Sequence, residues 1–216
     1  MPLKGAPPLQ TPEVSASGTG HAFQDQIPEN FCYGCGPGNP VGLRLRSIWA
    51  GNEALCVFQP APYHAAGPRH ILNGGIIATL IDCHAVCTAI AYAYRAENRA
   101  IGSVPAIWYA TASLAVRYLR PTPLDRLVTV RARVVETRLR RTTLACALSA
   151  DDVECVQAEV VAVRVPATWR EELHLTPMTA QHNDVTHVLW PPTAQTMVAP
   201  SRRASTHAEC EQEEKR

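Results

Sequence analysis

Residues 73–96 read NGGIIATLIDCHAVCTAIAYAYRA, and this stretch decides the fold. Residues 75–96 carry few polar side chains, and they are Thr79, Asp82, His84, Thr88 and Arg95. Apolar residues therefore occur all around a helix over 75–96, and such a helix needs cover on its whole circumference. At 1.5 Å per residue it is about 30 Å long. We expect one small sheet to leave part of it bare and a second copy of the chain to supply that cover.

Length and composition predict one domain between two loose flanks. The chain has 216 residues, of which 46% are hydrophobic and 18% charged, as in globular domains. Residues 1–28 and 176–216 are rich in Pro and small polar residues without an apolar period, so we expect disordered tails around a domain over 29–175. Thr168 and Glu171 have the spacing of a capping box, which predicts a short helix over 169–174.

Charge and cysteine usage restrict the partners and the compartment. Twenty Lys and Arg against 19 Asp and Glu give a net charge of +1, so no basic field exists to hold nucleic acid or an anionic membrane. The eight Cys lie mostly in apolar runs, which favours reduced thiols and a cytoplasmic location. The first 20 residues lack the apolar region of a secretory signal. Asp82 and His84 interrupt the apolar segment, which argues against a membrane span.

Alternating apolar segments predict strands on both sides of the helix. Two of them, over 43–50 and 53–59, flank Gly51-Asn52, a dipeptide typical of hairpin turns. A long strand over 107–120 places Thr111 and Ser113 on the same face. Three further strands follow, over 127–138, 141–150 and 153–165. We expect the last four strands to form an antiparallel meander, which makes the fold class α+β.

Asp82 is the most informative residue, because a carboxylate rarely lies in an apolar helix unless it is paired or functional. Positions 78, 79, 85 and 86, one turn away, carry neither Lys nor Arg. Two interpretations stay open: Asp82 accepts hydrogen bonds from a neighbouring strand or faces water, or it takes part in chemistry. Upstream, Gly74 and Gly75 expose free amides at the helix start, which favours an oxyanion there, although a Gly pair also forms plain turns.

Four motifs follow one another in a fixed order. They are FCYGCG at 31–36 with NP at 39–40 and GL at 42–43, HILNGGIIATLID at 70–82, YATASL at 109–114, and YLRPTP at 118–123. Together, over about residues 30–166, they resemble the PaaI-like branch of hotdog-fold acyl-CoA thioesterases. The resemblance implies a hotdog fold, in which a long antiparallel sheet wraps one central helix. It also implies a homodimer, or a dimer of dimers, that hydrolyses acyl-CoA to the free acid and CoA.

The resemblance further implies a role for each motif residue. The amide of Gly74 polarises the thioester carbonyl, and Asp82 attacks that carbonyl or activates a water molecule. A hydroxyl on the long strand, here Thr111, assists the water, with Ser113 on the same face. The amide and the acid of one site come from different protomers, so activity requires the dimer. Asn73 stands where many members have His, and it keeps the ability to cap the helix but cannot carry a proton.

The candidate substrate-binding residues surround these positions, and they are Gly75, His70, Ser113, Arg117 and Arg120. Their two Arg side chains are charge-assisted donors suited to the phosphates of CoA, although surface Arg is common. The histidines near the helix, among them His84, also fit a loop or core position with one ring nitrogen satisfied.

Neither a metal nor another cofactor is predicted. Cys32 and Cys35 have the spacing of half a zinc ribbon or of a redox pair, but the sequence has no second Cys-x-x-Cys. The Gly- and Pro-rich residues that follow cannot form the helix that lowers the pKa of a thioredoxin-like thiol. Cys83, His84 and Cys87 make a poor metal site, because no fourth ligand has the usual spacing. We interpret the first two cysteines as part of a turn.

Two other functions compete with hydrolysis. A non-catalytic module would keep the acyl-CoA pocket without turnover, and Asn73 together with the long flanks leaves this alternative open. A hotdog dehydratase or hydratase would need a His and an acid on one protomer, and no such pair is obvious near Asp82.

Overall fold

The computed structural model describes residues 21–166, which form one long helix against an antiparallel sheet. Helix α1 spans Gly74–Ala96. The strands are β1 (Ser47–Ala50), β2 (Glu53–Phe58), β3 (Tyr109–Tyr118), β4 (Val128–Arg138), β5 (Arg141–Ala150) and β6 (Val153–Arg164). Short 3-10 turns occupy Gln24–Gln26 and Pro62–His64. The predicted α+β hotdog fold, a sheet wrapped around one central helix, is confirmed.

The strand order across the sheet is β1-β2-β4-β5-β6-β3, so the predicted meander of the last four strands is wrong. Tight turns join β4 to β5 and β5 to β6, and these strands do pair as neighbours. β3 instead pairs with β6, and β4 pairs with β2. The reason is the connection over 119–127, which contains Pro121 and Pro123 and is too long for a hairpin turn that would force β3 onto β4. β3 is therefore an edge strand in the described part of the chain.

The first hairpin is confirmed but is shorter than predicted. β1 and β2 pair across Gly51, whose φ of 66° lies in the left-handed region that Gly adopts freely. The strand begins only at Ser47, because the preceding backbone bonds to a loop. The amide of Leu43 donates to the carbonyl of Tyr33 at 2.8 Å, and that of Leu45 to Gly34 at 3.0 Å. These bonds fix the loop that carries the first two cysteines.

Helix α1 is covered on most of its circumference by its own sheet. Thirteen of its 23 residues are buried. The helix is long and apolar enough to cross a membrane, with a mean hydropathy of 1.7, but 67% of that window is buried as in the core helix of a folded domain. One stripe is only partly covered, and we call it the open stripe: Gly75, Ala78, Thr79, Asp82 and Val86. A single chain thus covers this stripe only in part, and the second copy expected from the sequence stays a prediction.

Residues 21–28 belong to the folded domain, which corrects the predicted tail over 1–28. Phe23 is 4% exposed and packs on Trp49 with ring centroids 5.1 Å apart. Gln24 exchanges two hydrogen bonds with Ser47, one of 3.0 Å between side chains and one of 2.8 Å from the Ser47 amide. The segment is held by the ring of Phe23 and the side-chain amide of Gln24. Two such residues produce no apolar period, so the sequence pattern did not reveal the contact. The rest of both predicted tails and the helix predicted over 169–174 lie outside the described residues.

Buried hydrogen bonds continue from this segment to helix α1. The Nε2 of His84 lies 3.1 Å from the carbonyl oxygen of Ala54, which can only accept, so the network assigns the ring proton to Nε2. Nδ1 then accepts from the hydroxyl of Ser47 at 2.8 Å. Burial lowers the pKa of His84 to about 4. His84 is thus a neutral core histidine with both ring nitrogens satisfied.

Candidate active site

Asp82 and Thr111 meet where the open stripe faces β3. The Thr111 hydroxyl donates a hydrogen bond of 2.6 Å to Oδ1 of Asp82. Within residues 21–166 the second carboxylate oxygen accepts no hydrogen bond, and solvent reaches both side chains. One oxygen is therefore held while the other is open to a water molecule or to an electrophilic carbon. This arrangement suits a general base or a nucleophile.

Both interpretations of Asp82 have a counterpart in this geometry. A neighbouring strand does supply a hydrogen bond, as the structural interpretation expects, and solvent access leaves the functional interpretation open. Burial, and secondarily the charge of Asp82, raises the pKa of Cys146 on β5 to about 12. Cys146 therefore stays a neutral thiol, and a buried neutral thiol is not a nucleophile. Asp82 therefore remains the candidate for the reactive group in this part of the structure.

Asn73 caps the start of α1 and leaves one amide free. Its Oδ1 accepts from the amides of Gly75 at 2.7 Å and Ile76 at 3.3 Å, as an N-cap side chain does. The amide of Gly74 has no hydrogen-bond partner among the described residues, and Gly has no side chain to cover it. Gly74 thus keeps the donor needed for its predicted role. The amide of Gly75, predicted to bind substrate, is occupied by Asn73.

Tyr118 contacts the helix start, although its position in the sequence did not mark it as a site residue. Its hydroxyl donates to the carbonyl oxygen of Gly74 at 2.7 Å. A Cβ built on Gly74 would lie 3.4 Å from the same hydroxyl. The tyrosine therefore fixes the backbone of Gly74 next to its free amide.

A β-bulge in β3 explains why Tyr118 was missed. Thr111 pairs with Ala162, but Ser113 pairs with Val161, so one residue between them is extra. Neighbouring residues of β6 point to opposite faces. Thr111 accordingly faces the helix and Ser113 faces away from it, and the prediction that they share a face is wrong. Strict alternation had also placed Tyr118 opposite Thr111, whereas the extra residue brings both to the helix side. The segment carries no Gly that would mark the bulge.

The remaining predicted substrate-binding residues lie away from this pair. Arg117 points to the outer face of the sheet, where its guanidinium donates to the side chain of Gln157 on β6. Arg120 and His70 are exposed, and their side chains make no hydrogen bond or ion pair to other residues in 21–166. Within one chain, none of the three hydrogen bonds to Asp82.

Four cysteine side chains meet beside helix α1. The sulfurs of Cys32 and Cys83 are 3.6 Å apart, and so are those of Cys35 and Cys87. Those of Cys32, Cys35 and Cys83 all lie within 4.8 Å of one another. We call these four residues the cysteine cluster. The sequence has no second Cys-x-x-Cys, but the i, i+4 spacing of Cys83 and Cys87 was a signal that one helix face carries two thiols.

Hydrogen bonds within the cysteine cluster separate its pKa values. Those from the other three thiols hold the pKa of Cys35 well below its usual range, against the effect of burial. Hydrogen bonding to their neighbours, and then burial, raise the pKa values of Cys83 and Cys87. The cluster therefore favours negative charge on the Cys35 sulfur.

Comparison with known proteins gives consistent matches. The profile of the Thioesterase superfamily matches residues 70–157, a range that includes Gly74, Asp82 and Thr111. Acyl-coenzyme A thioesterase THEM4 from Bos taurus is 27% identical over 111 residues, which are 51% of this chain and 40% of that protein. The chain thus spans well under two thirds of the length of this curated relative.

Two solved structures complete the comparison. A thioesterase superfamily protein from Shewanella loihica is 34% identical, and the match covers 56% of this chain and 91% of that chain with a TM-score of 0.47. A thioesterase from Haemophilus influenzae is 12% identical, with 58% and 80% of the two chains covered and a TM-score of 0.48. Cys32 and Cys35 lie outside the range that the superfamily profile matches.

Proposed function

The chain belongs to the thioesterase superfamily, and from this premise we propose that it hydrolyses an acyl-CoA thioester to the free acid and CoA. The observation that carries the proposal is the hydrogen bond between Thr111 and Asp82. It holds one oxygen of a carboxylate that lies on the open stripe and leaves the other oxygen available. A carboxylate held in this way can act on a carbonyl carbon directly or through water.

Two routes are consistent with one free oxygen on Asp82. As a base, the carboxylate takes a proton from water while the water oxygen bonds to the carbonyl carbon, and collapse of the oxyanion expels the CoA thiolate, which the proton then neutralises. As a nucleophile, it forms an anhydride with release of the CoA thiolate, and water hydrolyses the anhydride. In both routes the amide of Gly74 donates to the oxyanion. Thr111 acts through Asp82 and is a positioning residue.

The complete site is proposed to contain two chains. Gly74 and Asp82 of one chain are eight helical residues apart, about 12 Å along the axis, which is too far for both to act on one carbonyl group. Among the described strands, β3 pairs only with β6, so its other edge is free. Pairing of β3 with its own copy would extend the sheet across a two-fold axis and cover the open stripe. A homodimer, or a dimer of dimers, would result.

The first test replaces Asp82 by Asn, which is nearly isosteric and cannot act as a base or nucleophile. We expect the wild type to release CoA from at least one member of an acyl-CoA panel, and Asp82→Asn to do so about 100- to 10,000-fold more slowly. Mass spectrometry of the products measures both. Asp152→Asn is the matched control, because Asp152 is exposed and its φ of 62° suits Asn. Turnover of Asp82→Asn within about threefold of wild type would contradict the mechanism.

Intact acyl-CoA that co-purifies with the wild type, without any release of CoA, would contradict hydrolysis altogether. That outcome would support a binding module instead.

The second test asks whether two chains share a site, and it pairs Asp82→Asn with Gly74→Pro. Gly74 is the first helical residue, where Pro is tolerated, and Asn73 has the extended ψ of 133° that a residue before Pro requires. Pro removes the donor amide without breaking the helix. Each variant alone should be inactive, and a mixed dimer should regain one of its two sites. Well-folded mixed dimers without activity, or an active monomer in light scattering, would reject the shared site.

A further inference from the structure

The cysteine cluster takes no part in the reaction proposed above, yet its geometry is that of a ligand set. We propose that the cysteine cluster binds one Zn²⁺ through four thiolates and so clamps the loop over 30–36 onto helix α1. The proposal is independent of thioester hydrolysis, because Cys83 follows Asp82 in sequence but points 100° away from it around the helix.

The sulfur positions fit one tetrahedral ion. Zinc binds thiolates at about 2.3 Å, so two sulfurs of a tetrahedral site lie about 3.8 Å apart. The structure has 3.6 Å between Cys32 and Cys83 and between Cys35 and Cys87. Three of the sulfurs lie within 4.8 Å of one another. The fourth sulfur, that of Cys87, lies next to Cys35 and has to move toward Cys32 and Cys83 to complete the tetrahedron.

The backbone around the cluster allows two elements to approach closely. A Cβ on Gly34 would clash with the sulfur of Cys83 and with the methyl group of Thr79, so only Gly lets the loop contact the helix there. A Cβ on Gly36 would clash with the amide nitrogen of Cys32, so the turn from Cys32 to Gly36 also needs Gly at its end. Both glycines bring a Cys-x2-Cys turn against a Cys-x3-Cys helical turn, and these spacings are those of structural zinc sites.

An outer contact and the burial pattern complete the site. The side chain of Asn30 accepts from the amide of Cys32 at 2.9 Å and donates to the sulfur of Cys35 at 3.5 Å. Such contacts orient metal ligands in known sites. Cys35, Cys83 and Cys87 are 5 to 7% exposed, whereas Cys32 lies at the surface. An ion can therefore enter from the surface at Cys32, and the three buried sulfurs would hold it away from solvent.

A disulfide or an iron–sulfur cluster explains the arrangement less well. A disulfide joins only two sulfurs, at about 2.05 Å, and does not explain why the other two sulfurs also lie close together. Tetrahedral sulfur sites hold zinc or iron–sulfur clusters. A polynuclear cluster needs its cysteines spread around several metal atoms, whereas the sulfurs of Cys32, Cys35 and Cys83 all lie within 4.8 Å of one another, close enough to share one ion. Zinc is therefore the occupant that we test.

The test measures the metal content of untagged protein purified under reducing conditions without chelator. Elemental analysis should find about one zinc per chain in the wild type and in Cys155→Ser, and less than about a tenth of that in Cys35→Ser and Cys83→Ser. Cys155 is the matched control, because it is buried at 1% exposure and its thiol donates to the carbonyl of Val153, which Ser can also do. Circular dichroism checks that each variant is folded.

A second measurement uses wild-type protein alone, in case the variants fail to fold. Stripped protein titrated with Co²⁺ should show the absorption of tetrahedral cobalt with strong sulfur-to-metal charge transfer, and Zn²⁺ should displace it and raise the melting temperature. Wild-type protein without metal that takes up neither ion in the presence of a weak chelator would overturn the proposal. Iron with inorganic sulfide, or full zinc content in Cys83→Ser, would overturn it as well.

Discussion

Asp82 and His84 are two residues apart on one helix and lie in opposite environments. Asp82 lies on the open stripe, with one oxygen bonded to a hydroxyl and the other unbonded among the described residues. His84 is 0% exposed, and both of its ring nitrogens are bonded. The comparison teaches that this helix has a carboxylate oxygen without a hydrogen bond where solvent reaches it, and fully bonded ring nitrogens where solvent does not. Substitutions on the open stripe should therefore alter chemistry, and those on the buried side should alter stability.

On the buried side, the largest loss of stability is expected for substitution of Phe23. Its ring packs on Trp49, next to the hydrogen bonds between Gln24 and Ser47. Phe23→Ala should lower the free energy of unfolding by about 3–5 kcal/mol, because a large buried side chain leaves a cavity. Phe31→Ala is the matched control, since Phe31 is 69% exposed. Urea denaturation of both variants measures the difference. Equal losses in the two variants would show that residues 21–28 do not pack as described.

The buried side should also make stability depend on pH. The pKa of His84 is about 4 in the folded state and about 6.5 when the chain is unfolded, so the unfolded state binds the extra proton between these values. The contribution of neutral His84 to the free energy of unfolding is fully present above about pH 6.5. It decreases by about 3 kcal/mol in total as the pH falls to about 4.

His84→Gln removes this titration while other groups continue to titrate. Urea denaturation at several pH values should therefore show a flatter pH dependence for the variant than for the wild type between pH 6.5 and about 4. Parallel curves for the two proteins would mean that His84 is not held neutral by its surroundings.

Substitutions at the open stripe should lower activity and leave stability nearly unchanged, and Thr111→Val tests this expectation. Loss of a hydrogen bond to a charged group costs about 1.5–3 kcal/mol, so kcat should fall roughly 10- to 100-fold. KM and the melting temperature should change little, because the hydroxyl lies at an exposed position. Thr111→Ser should restore the activity, since it restores the donor.

Ser113→Ala is the matched control for this substitution. Ser113 lies two residues away on the other face of the sheet, so its hydroxyl is not needed at Asp82. A loss of kcat in Ser113→Ala equal to that in Thr111→Val would contradict the bulge.

The sequence predicted those parts of the molecule that local patterns determine. Helix α1 begins one residue before its predicted start, and the turns that join β4 to β5 and β5 to β6 lie between the predicted strand ends, at 138–141 and 150–153. The motif at 73–82 also selected Gly74, whose amide Asn73 leaves free, and Asp82, whose role stays a prediction. These features depend on periodicity, on turn residues and on capping, which act over a few residues.

The features that the sequence did not predict depend on contacts between distant segments. β3 pairs with β6 because the sheet has to enclose the helix, and the intervening residues contain no turn that reveals this. Phe23 and Gln24 are held by partners that follow more than twenty residues later. The cysteine cluster joins residues about fifty positions apart. Gly34 allows the close approach of the two segments, but a Gly in the sequence does not predict which segment it contacts.

The bulge at Ala112 shifts the inward and outward positions of β3 by one residue. From Leu114 onward, the side chains that face the helix are those that a regular strand would direct outward. A mutant library aimed at acyl-chain preference should therefore vary Leu114 and Val116 and leave Ser113 and Ala115 unchanged. In an alignment with relatives whose strand is regular, a single gap at Ala112 decides which residues are compared as pocket residues.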